Sequence, residues 1–391
     1  MSDKSVTAPE LSELKTHHSE KWRAFPKDVL PFPVAEMDFP VAEPIREVLT
    51  EMIKHSDLGY LGNIPEMGTA FGGFAKRRWN WELDPLQVRI GTDVGVAIVE
   101  LIRIFMQPGE KILVNSPVYQ NFYTWINETK VEKIDVPFMQ NDSEVDGSGW
   151  SIDWAGVEKA YKSGIKVHLL CNPHNPIGKV YSRSDLIKIA ELAKENGIIV
   201  LSDEIHAPLN YGETKFTPFL SLGRTAEEVG VSITSASKGW NIAGLKCAII
   251  ISQNEKINEE LKKLPIALHY RASLLGAFAS VAAFESGEPW LDSVTRTLDE
   301  NRNLLAKLIQ DQIPAIKYRK PHSTYLAWLD LADMKLGETP TEAILEKAKV
   351  ALNPGSIYGP DFTSFARFNF ATSPNLIGEA VQRISTAFPK D

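Results

Sequence analysis

The sequence predicts an α/β fold with two domains, a large one built on a mostly parallel sheet and a smaller α+β one. Three observations favour this fold. Short apolar strands alternate with helices through the first two thirds of the chain, as in parallel sheets with helical crossovers. Polar motifs come directly after these strands. Open α/β sheets bind their ligands at this position, at the carboxyl ends of the strands. Beyond Ile251 the pattern changes to long helices and two strands of alternating polarity.

Length and composition restrict the class of protein. The chain has 391 residues, too many for one typical domain of about 100 to 200 residues. Its formal net charge of -8 gives no basic surface for nucleic acid or an anionic membrane. Both cysteines lie in apolar runs, which predicts buried thiols, and no segment has the apolar run of a secretion signal or a membrane span. We therefore expect a cytoplasmic enzyme.

The N-terminal region contains an extended segment and two helices. Prolines stiffen residues 30–35 and exclude a helix there. A helical pattern opens at residue 43, with apolar side chains on one face at Ile45, Val48, Leu49, Met52 and Ile53. Tyr60 follows in a loop, where packing is its ordinary role. A second amphipathic helix is expected over residues 68–79.

A strand at residues 88–90, a loop containing glycines and an apolar helix over residues 96–106 form a candidate phosphate site. The first amides of a helix have no internal partners, and the helix dipole favours an anion there. Asp93 lies in this loop. Its carboxylate would repel a phosphate unless it caps the helix instead.

Four more strands each lead into a polar motif. They cover residues 111–114, 167–171, 198–201 and 231–234. The motifs are SPVY ending at Tyr119, NPHNPIG with Asn175, SDEIH with Asp203 and His206, and SASKGWNIAGL with Lys238. A helix is expected over residues 184–196, and the C-terminal part predicts helices over 274–286 and 290–309 and strands over 322–330 and 365–370.

Lys238 is the residue around which these motifs are arranged. It lies among small hydroxyl and apolar residues, whereas surface lysines usually lie among other charges. Desolvation lowers the pKa of a lysine, and the neutral amine is the form that builds a Schiff base with an aldehyde cofactor. A lysine that caps a turn is the alternative.

The motifs, taken in this order, resemble those of fold-type I pyridoxal phosphate (PLP) enzymes, the aspartate aminotransferase superfamily. Within it, CNPHNPIGKVYS, SDEIHAPL, SKGWNIAGL, STYLAWLDL and FARFNFATSP look like the MalY/PatB-type cystathionine β-lyases, from VAEMDFP onward. The resemblance implies a large domain at residues 47–283 with a mostly parallel, seven-stranded sheet. Residues 1–46 and 284–391 would form the smaller domain.

The resemblance also implies roles for the motif residues. Lys238 would hold PLP as a Schiff base and move protons at the substrate Cα, and Asp203 would pair with the ring nitrogen. Asn175 would donate a hydrogen bond to the ring O3′. Tyr119 would stack on the ring. His206 would add a contact on the side of Asp203, unless it is a core histidine with satisfied hydrogen bonds.

For the phosphate, the resemblance implies groups from both subunits of a homodimer. They are the backbone of Val94 and Gly95, the side chains of Ser235 and Lys246, and the partner subunit's Tyr60. The chain departs from the family pattern twice. Asp93 replaces a glycine of the loop, and Lys246 replaces an arginine. The ammonium of Lys246 would contact the phosphate as a point charge, without the bidentate fork of a guanidinium.

The substrate would be a small molecule, an amino acid. Arg367 would clamp its α-carboxylate through the planar guanidinium fork, unless this arginine lies on an exposed strand face. The extended segment at Val34 and Ala35 would close over the substrate. No metal is expected.

The resemblance implies a PLP-dependent C–S β-lyase, which would cleave cystathionine or another S-substituted L-cysteine to a thiol, pyruvate and ammonia. An aminotransferase of class I/II is the alternative within the same fold, although no second arginine is evident for a side-chain carboxylate. A regulatory protein that keeps the fold without the chemistry is a third hypothesis. The complete set of Lys238, Asp203, Asn175 and Arg367 argues against it.

Overall fold

The structure is a computed structural model that describes residues 6–141, 148–212 and 214–389. The strands of this described part are β1 Leu30–Pro31, β2 Val88–Gly91, β3 Lys111–Val114, β4 Glu132–Asp135, β5 Met139–Gln140, β6 Trp150–Ser151, β7 Val167–Cys171, β8 Ile199–Asp203, β9 Gly230–Thr234, β10 Ala248–Ile251, β11 Lys317–Tyr318, β12 Leu326–Asp330, β13 Val350–Ala351, β14 Asn353–Pro354 and β15 Phe365–Asn369.

Its α-helices are α1 Leu11–Leu14, α2 Glu20–Arg23, α3 Glu43–Lys54, α4 Glu66–Trp79, α5 Val94–Phe105, α6 Asn121–Thr129, α7 Trp154–Lys162, α8 Arg183–Asn196, α9 Arg224–Val229, α10 Ala236–Gly239, α11 Glu255–Leu261, α12 Ile266–Tyr270, α13 Leu274–Ser286, α14 Glu288–Gln312, α15 Pro340–Ala348 and α16 Pro374–Ala387. Several short 3₁₀ turns connect these helices and strands.

A seven-stranded sheet forms the centre of the molecule, in the order β2-β10-β9-β8-β7-β3-β4. Strand β10 runs antiparallel to both its neighbours, and every other adjacent pair is parallel. The central strands β7 and β9 are buried at every position, because parallel sheets are covered on both faces. This confirms the predicted α/β class and the mostly parallel sheet.

A second, four-stranded antiparallel sheet has the order β11-β12-β15-β14. In its register Arg367 of β15 lies between Trp328 of β12 and Asn353 of β14. The long helix α14 packs against α16. The division of the chain at residues 46/47 and 283/284 stays a prediction.

The N-terminal segment is fixed to the rest of the molecule by buried polar contacts. Lys21 forms a 2.8 Å ion pair with Asp38, and both side chains are 1% exposed. Trp22 Nε1 donates to the other oxygen of the same carboxylate at 2.9 Å. The Asp38 amide in turn bonds the carbonyl of Ala371. Breaking such a buried pair leaves an uncompensated charge, so these contacts hold the segment before the site in one position.

The predicted elements exist, with corrections. Residues 322–325 are not strand, because Thr324 takes a left-handed backbone with φ 73°, and β12 begins only at Leu326. Ile53 was expected on the buried face of α3 but is 60% exposed, while Ile45 and Met52 are buried. Helix α5 begins at Val94 instead of residue 96.

Two sequence expectations concern membranes and disulfides. No helix within the described ranges combines the length and apolar character needed to cross a bilayer. Cys171 and Cys247 are both free and buried, which confirms the expected thiols.

Candidate active site

A cavity of about 650 Å³ lies where the carboxyl ends of β7, β8 and β9 face the small sheet and the N-terminal segment. The end of a parallel sheet collects the residues that follow each strand, although they are far apart in sequence. The cavity brings together these predicted site residues: Val34, Ala35, Val94, Gly95, Tyr119, Asn175, Asp203, His206, Ser235, Lys238, Lys246 and Arg367. Tyr60 is the predicted site residue that does not line it.

Lys238 projects from the four-residue helix α10 directly after β9. Its Nζ donates a 2.7 Å hydrogen bond to the carbonyl of Ala35, so it crosses the cavity and does not cap its own turn. Burial lowers the pKa of Lys238 to about 8, helped by the charge of Arg367 and opposed by those of Glu36 and Asp203. A substantial fraction of neutral amine is therefore present near pH 8.

Asp203 is the last residue of β8, and it is 4% exposed. Its Oδ1 accepts a 3.1 Å hydrogen bond from the backbone amide of Ile205. Burial raises the pKa of Asp203 to about 7, opposed by that hydrogen bond and by Lys238. A carboxylate this deeply buried favours a cationic or proton-donating partner.

Arg367 and Asn175 form a buried, hydrogen-bonded pair on the cavity wall. Arg367 Nη1 donates to Asn175 Oδ1 at 3.1 Å, and Nη2 donates to the carbonyl of Pro33 at 2.7 Å. Arg367 is 2% exposed, so the alternative of an exposed strand face is wrong. Its buried Nε finds no hydrogen-bond partner among the described residues. The guanidinium therefore retains a donor for an anion.

His206 is buried beside Asp203, and its ring lies 6.1 Å from that of Tyr325. Its Nδ1 has no partner within the described part of the chain, so the alternative of a satisfied core histidine is wrong. Burial lowers the pKa of His206 well below its usual value, helped by the charges of Lys238 and Arg367. The ring is therefore neutral and retains an unused polar atom.

The ring of Tyr119 lines the cavity and packs edge-on at 5.9 Å from Trp125. Its hydroxyl accepts a 2.8 Å hydrogen bond from Asn121 Nδ2. Burial raises the pKa of Tyr119. The phenol is therefore neutral at physiological pH, and its orientation is fixed by the next turn of the chain.

The N-terminus of α5 forms the other end of the cavity. Asp93 Oδ1 accepts from the Val96 amide at 2.8 Å, which confirms that Asp93 caps this helix. Its second oxygen lies 3.4 Å from Lys246 Nζ. A Cβ atom on Gly95 would lie 2.7 Å from the ring of Trp125, so only glycine fits at that position. The first amides of α5 remain available to an anion.

Comparison with known proteins identifies the group to which this chain belongs. The family model "Aminotransferase class I and II" matches residues 27–384. The chain belongs to this family.

Two members of the family are similar over nearly the whole chain. The cystathionine beta-lyase of Corynebacterium glutamicum is 34% identical, over 97% of this chain and 99% of its own. The cystathionine beta-lyase PatB of Bacillus subtilis is 33% identical, over 92% of each. Cystalysin from Treponema denticola, whose crystal structure contains a pyridoxal 5′-phosphate cofactor, superposes with a TM-score of 0.91 at 26% identity, over 99% of each chain. The fold-type I architecture is thereby confirmed.

Two residues that are predicted to bind the cofactor phosphate, Ser235 and Tyr60, are placed differently in the single chain. Ser235 Oγ donates to the carbonyl of Cys247 at 2.5 Å and accepts from the Ser237 amide at 3.0 Å, so its hydroxyl proton is already used. Tyr60 is 95% exposed and lies outside this chain's cavity. The contact of Tyr60 with the phosphate of a second subunit stays a prediction.

Sequence reasoning missed several residues that shape the site. Tyr325 donates to the carbonyl of Ala35 at 2.8 Å, so this carbonyl binds both Tyr325 and Lys238. Asn369 Nδ2 donates hydrogen bonds to the carbonyls of Val34 and Glu36. The other missed residues are Glu36, Asn241 and Asn353. Tyr325 and Glu36 lie in STYLAWLDL and VAEMDFP, so these motifs contained a signal, whereas Asn353 lies in no motif.

The residues of the cavity fit PLP. A lysine amine, a buried carboxylate, an aromatic face and a capped helix N-terminus correspond to the aldehyde, ring nitrogen, ring and phosphate of that cofactor. The unpartnered Nδ1 of His206 and Nε of Arg367 agree with a polar ligand at the site. Within the described residues, no cluster of three or more His, Cys, Asp or Glu is arranged to hold a metal ion.

Proposed function

We propose that this protein is a PLP-dependent C–S β-lyase that cleaves cystathionine or a related S-substituted L-cysteine to a thiol, pyruvate and ammonia. The convergence of Lys238, Asp203, Asn175 and Arg367 on one cavity supports this proposal most strongly. The names of the relatives at 33% and 34% identity support the same reaction.

When bound, the cofactor withdraws electrons from the substrate Cα and so makes its proton removable. Lys238 would remove this proton, because its pKa of about 8 lets a neutral amine act as a base near neutral pH. Asp203 would hold the proton of the ring nitrogen through a charge-assisted hydrogen bond. Tyr119 would stack on the ring, with its hydroxyl held by Asn121.

Arg367 would bind the α-carboxylate of the substrate, since its buried Nε remains unused and its two other nitrogens are fixed by Asn175 and Pro33. A guanidinium that is held in this way loses little conformational entropy on binding. The shared carbonyl of Ala35 would keep Lys238 on the same side of the substrate.

The decisive experiment is incubation of the PLP-loaded protein with L,L-cystathionine and no keto acid. A lyase releases thiol and pyruvate in equal amounts over many turnovers, and Lys238→Ala abolishes both. An aminotransferase needs a keto acid to return its cofactor to the aldehyde form. Turnover that depends strictly on an added keto acid would replace the lyase with the aminotransferase.

We also propose a cytoplasmic homodimer in which the partner subunit's Tyr60 completes the phosphate site. The full exposure of Tyr60 in a single chain and the anion site at the start of α5 support the shared site. The two free thiols and the negative net charge support the location. The division into domains at residues 47–283 and at 1–46 with 284–391 belongs to the same proposal.

A further inference from the structure

Glu36 lies on the cavity wall formed by the N-terminal segment. Hydrogen bonds fix the backbone of Glu36 and of the residue that follows it. The Glu36 carbonyl accepts from Asn369 Nδ2 at 2.6 Å, and the next residue, Met37, exchanges two 2.8 Å hydrogen bonds with the side chain of Asn241. The Ser19 hydroxyl donates to Glu36 Oε1. The carboxylate is therefore held at the wall of the site by a rigid segment.

The carboxylates on the cavity wall are not equivalent. Three of the five lie in ion pairs, which are Asp93 with Lys246, and Glu100 and Glu128 with Arg103. In the proposed function Asp203 serves the ring nitrogen. Glu36 forms no ion pair with any described residue and has only the Ser19 hydroxyl. Besides Asp203, Glu36 is therefore the carboxylate on this wall that has no ion-pair partner among the described residues, and its charge acts on Lys238 without forming an ion pair with it.

The order of contacts along the segment indicates which part of the substrate meets Glu36. The Pro33 carbonyl holds Arg367, which would bind the α-carboxylate, and the Ala35 carbonyl holds Lys238, which would act at Cα. Glu36 is the next residue along this wall. The charge of Glu36 acts on Lys238, which agrees with a position near the reacting carbon.

We propose, on the basis of the proposed lyase function, that Glu36 is a specificity-determining residue that selects S-substituted L-cysteines whose S-substituent carries a cationic group. An ammonium at the far end of the thioether would form a charge-assisted hydrogen bond with this carboxylate. A neutral substituent would leave Glu36 without a cation, and an anionic one would be repelled. The distal half of cystathionine carries both an ammonium and a carboxylate, and its ammonium is the group that would meet Glu36.

Three probes of similar size separate charge from shape. They are S-(2-aminoethyl)-L-cysteine, S-propyl-L-cysteine and S-carboxymethyl-L-cysteine. For the wild type we expect kcat/KM to fall in this order. Glu36→Gln keeps an oxygen for the Ser19 hydroxyl and removes only the charge. It should lower the ratio of aminoethyl to propyl substrate by about tenfold, with the propyl substrate changed less than about twofold.

Two further variants serve as controls. Glu36→Asp keeps the charge and should retain most of the preference. Glu128→Gln removes a carboxylate of the same cavity that is already paired with Arg103, and it should shift the ratio by less than about twofold. Equal loss on all three probes with Glu36→Gln, or an unchanged ratio, would overturn the proposal.

A binding measurement separates this proposal from the lyase function itself. Dissociation constants of the three probes are measured by calorimetry on PLP-loaded Lys238→Ala, with and without Glu36→Gln. The aminoethyl preference should appear there and disappear with the second substitution. If the wild type releases no thiol, the lyase function fails while these constants still decide the role of Glu36. Equal binding of the probes to both proteins would refute it.

Discussion

Asp203 and Glu204 are adjacent carboxylates buried on opposite sides of one strand end. Glu204 accepts hydrogen bonds from the Ser202 hydroxyl and the Phe219 amide, and Asp203 accepts one from the Ile205 amide. Burial raises the pKa of each carboxyl to about 7. Ionisation of Asp203 therefore costs folding free energy, and the bound cofactor would offset this cost by placing a cation beside it.

The first prediction concerns Asp203→Asn in the cofactor-free protein. A carboxyl whose pKa is raised by folding stabilises the protein fully below its usual pKa, and this contribution is lost as pH rises through about 7. The variant has no such loss. Its stability relative to the wild type should therefore increase from pH 5 to pH 8, on the order of 2 kcal/mol.

Urea unfolding midpoints at the two pH values measure this change. Asp361→Asn, at an exposed position, is the matched control and should show little change between them. A variant whose relative stability falls or stays constant from pH 5 to pH 8 would contradict the burial argument.

At the residue scale the sequence predicted the groups that lie in local motifs. Lys238 and Asn175 each follow a strand, Asp203 ends one and Arg367 lies on β15, so the strand pattern and the sequence motifs located them. Tyr325 and the backbone of Glu36 act through contacts with distant segments, as in the bonds from Tyr325 to Ala35 and from Asn369 to Glu36, which span 290 and 333 residues. Both residues lie in motifs, but the contacts themselves follow from tertiary packing, which the motifs do not describe.

At the scale of elements, the start of α5 shows how one residue serves both fold and site. Asp93 caps the helix through the Val96 amide, which satisfies a donor that the helix cannot satisfy itself. Its charge also lies beside the amides that would bind phosphate, and it engages Lys246. The cap stabilises the helix while the charge opposes the anion.

The second prediction is that Asp93→Asn binds PLP about threefold more tightly. Asparagine caps a helix as well as aspartate does, so the substitution removes the charge and keeps the cap. Lys246 is then free to turn toward the phosphate. Titration of the cofactor-free protein, followed by absorbance, gives the dissociation constant. Asp93→Ala, which loses the cap as well, is the control, and PLP binding to Asp93→Asn weaker than to the wild type would contradict the prediction.

Most elements were predictable because their composition is distinctive, as in the apolar run of β3 and the alanine-rich α13, whose predicted bounds are those observed. The rest required information that is not local. The antiparallel direction of β10 depends on its neighbours in the sheet, and the left-handed backbone of Thr324 ends a run that alternates like a strand. Ile53 matches the helical stripe of α3 and is nevertheless 60% exposed. The spacing of apolar residues identifies one face of a helix, but it does not show which residues of that face are covered by other parts of the molecule.

At the scale of the whole molecule, large apolar side chains are exposed close to Tyr60 in sequence. Ile53 is 60% exposed, Leu58 58% and Tyr60 95%. In the proposed homodimer the partner subunit's Tyr60 would reach the phosphate, so each site would use residues of both chains.

The third prediction tests this sharing. Tyr60→Ala and Lys238→Ala should each have little activity alone. When the two variants are mixed, unfolded and refolded together, random pairing makes half the dimers mixed, and each mixed dimer has one intact site. About one quarter of wild-type activity should return. Refolding each variant alone is the control. Full activity of Tyr60→Ala alone, or no recovery on mixing, would contradict a contribution of Tyr60 to the partner subunit's site.

The central claim is that Lys238 carries the cofactor, and covalent labelling tests it most directly. The PLP-loaded protein is reduced with sodium borohydride, digested and analysed by mass spectrometry. We expect one phosphopyridoxyl group per chain, on the peptide that contains Lys238, and none after Lys238→Ala. A label on Lys246, the other lysine on the described cavity wall, or no label at all, would contradict the account.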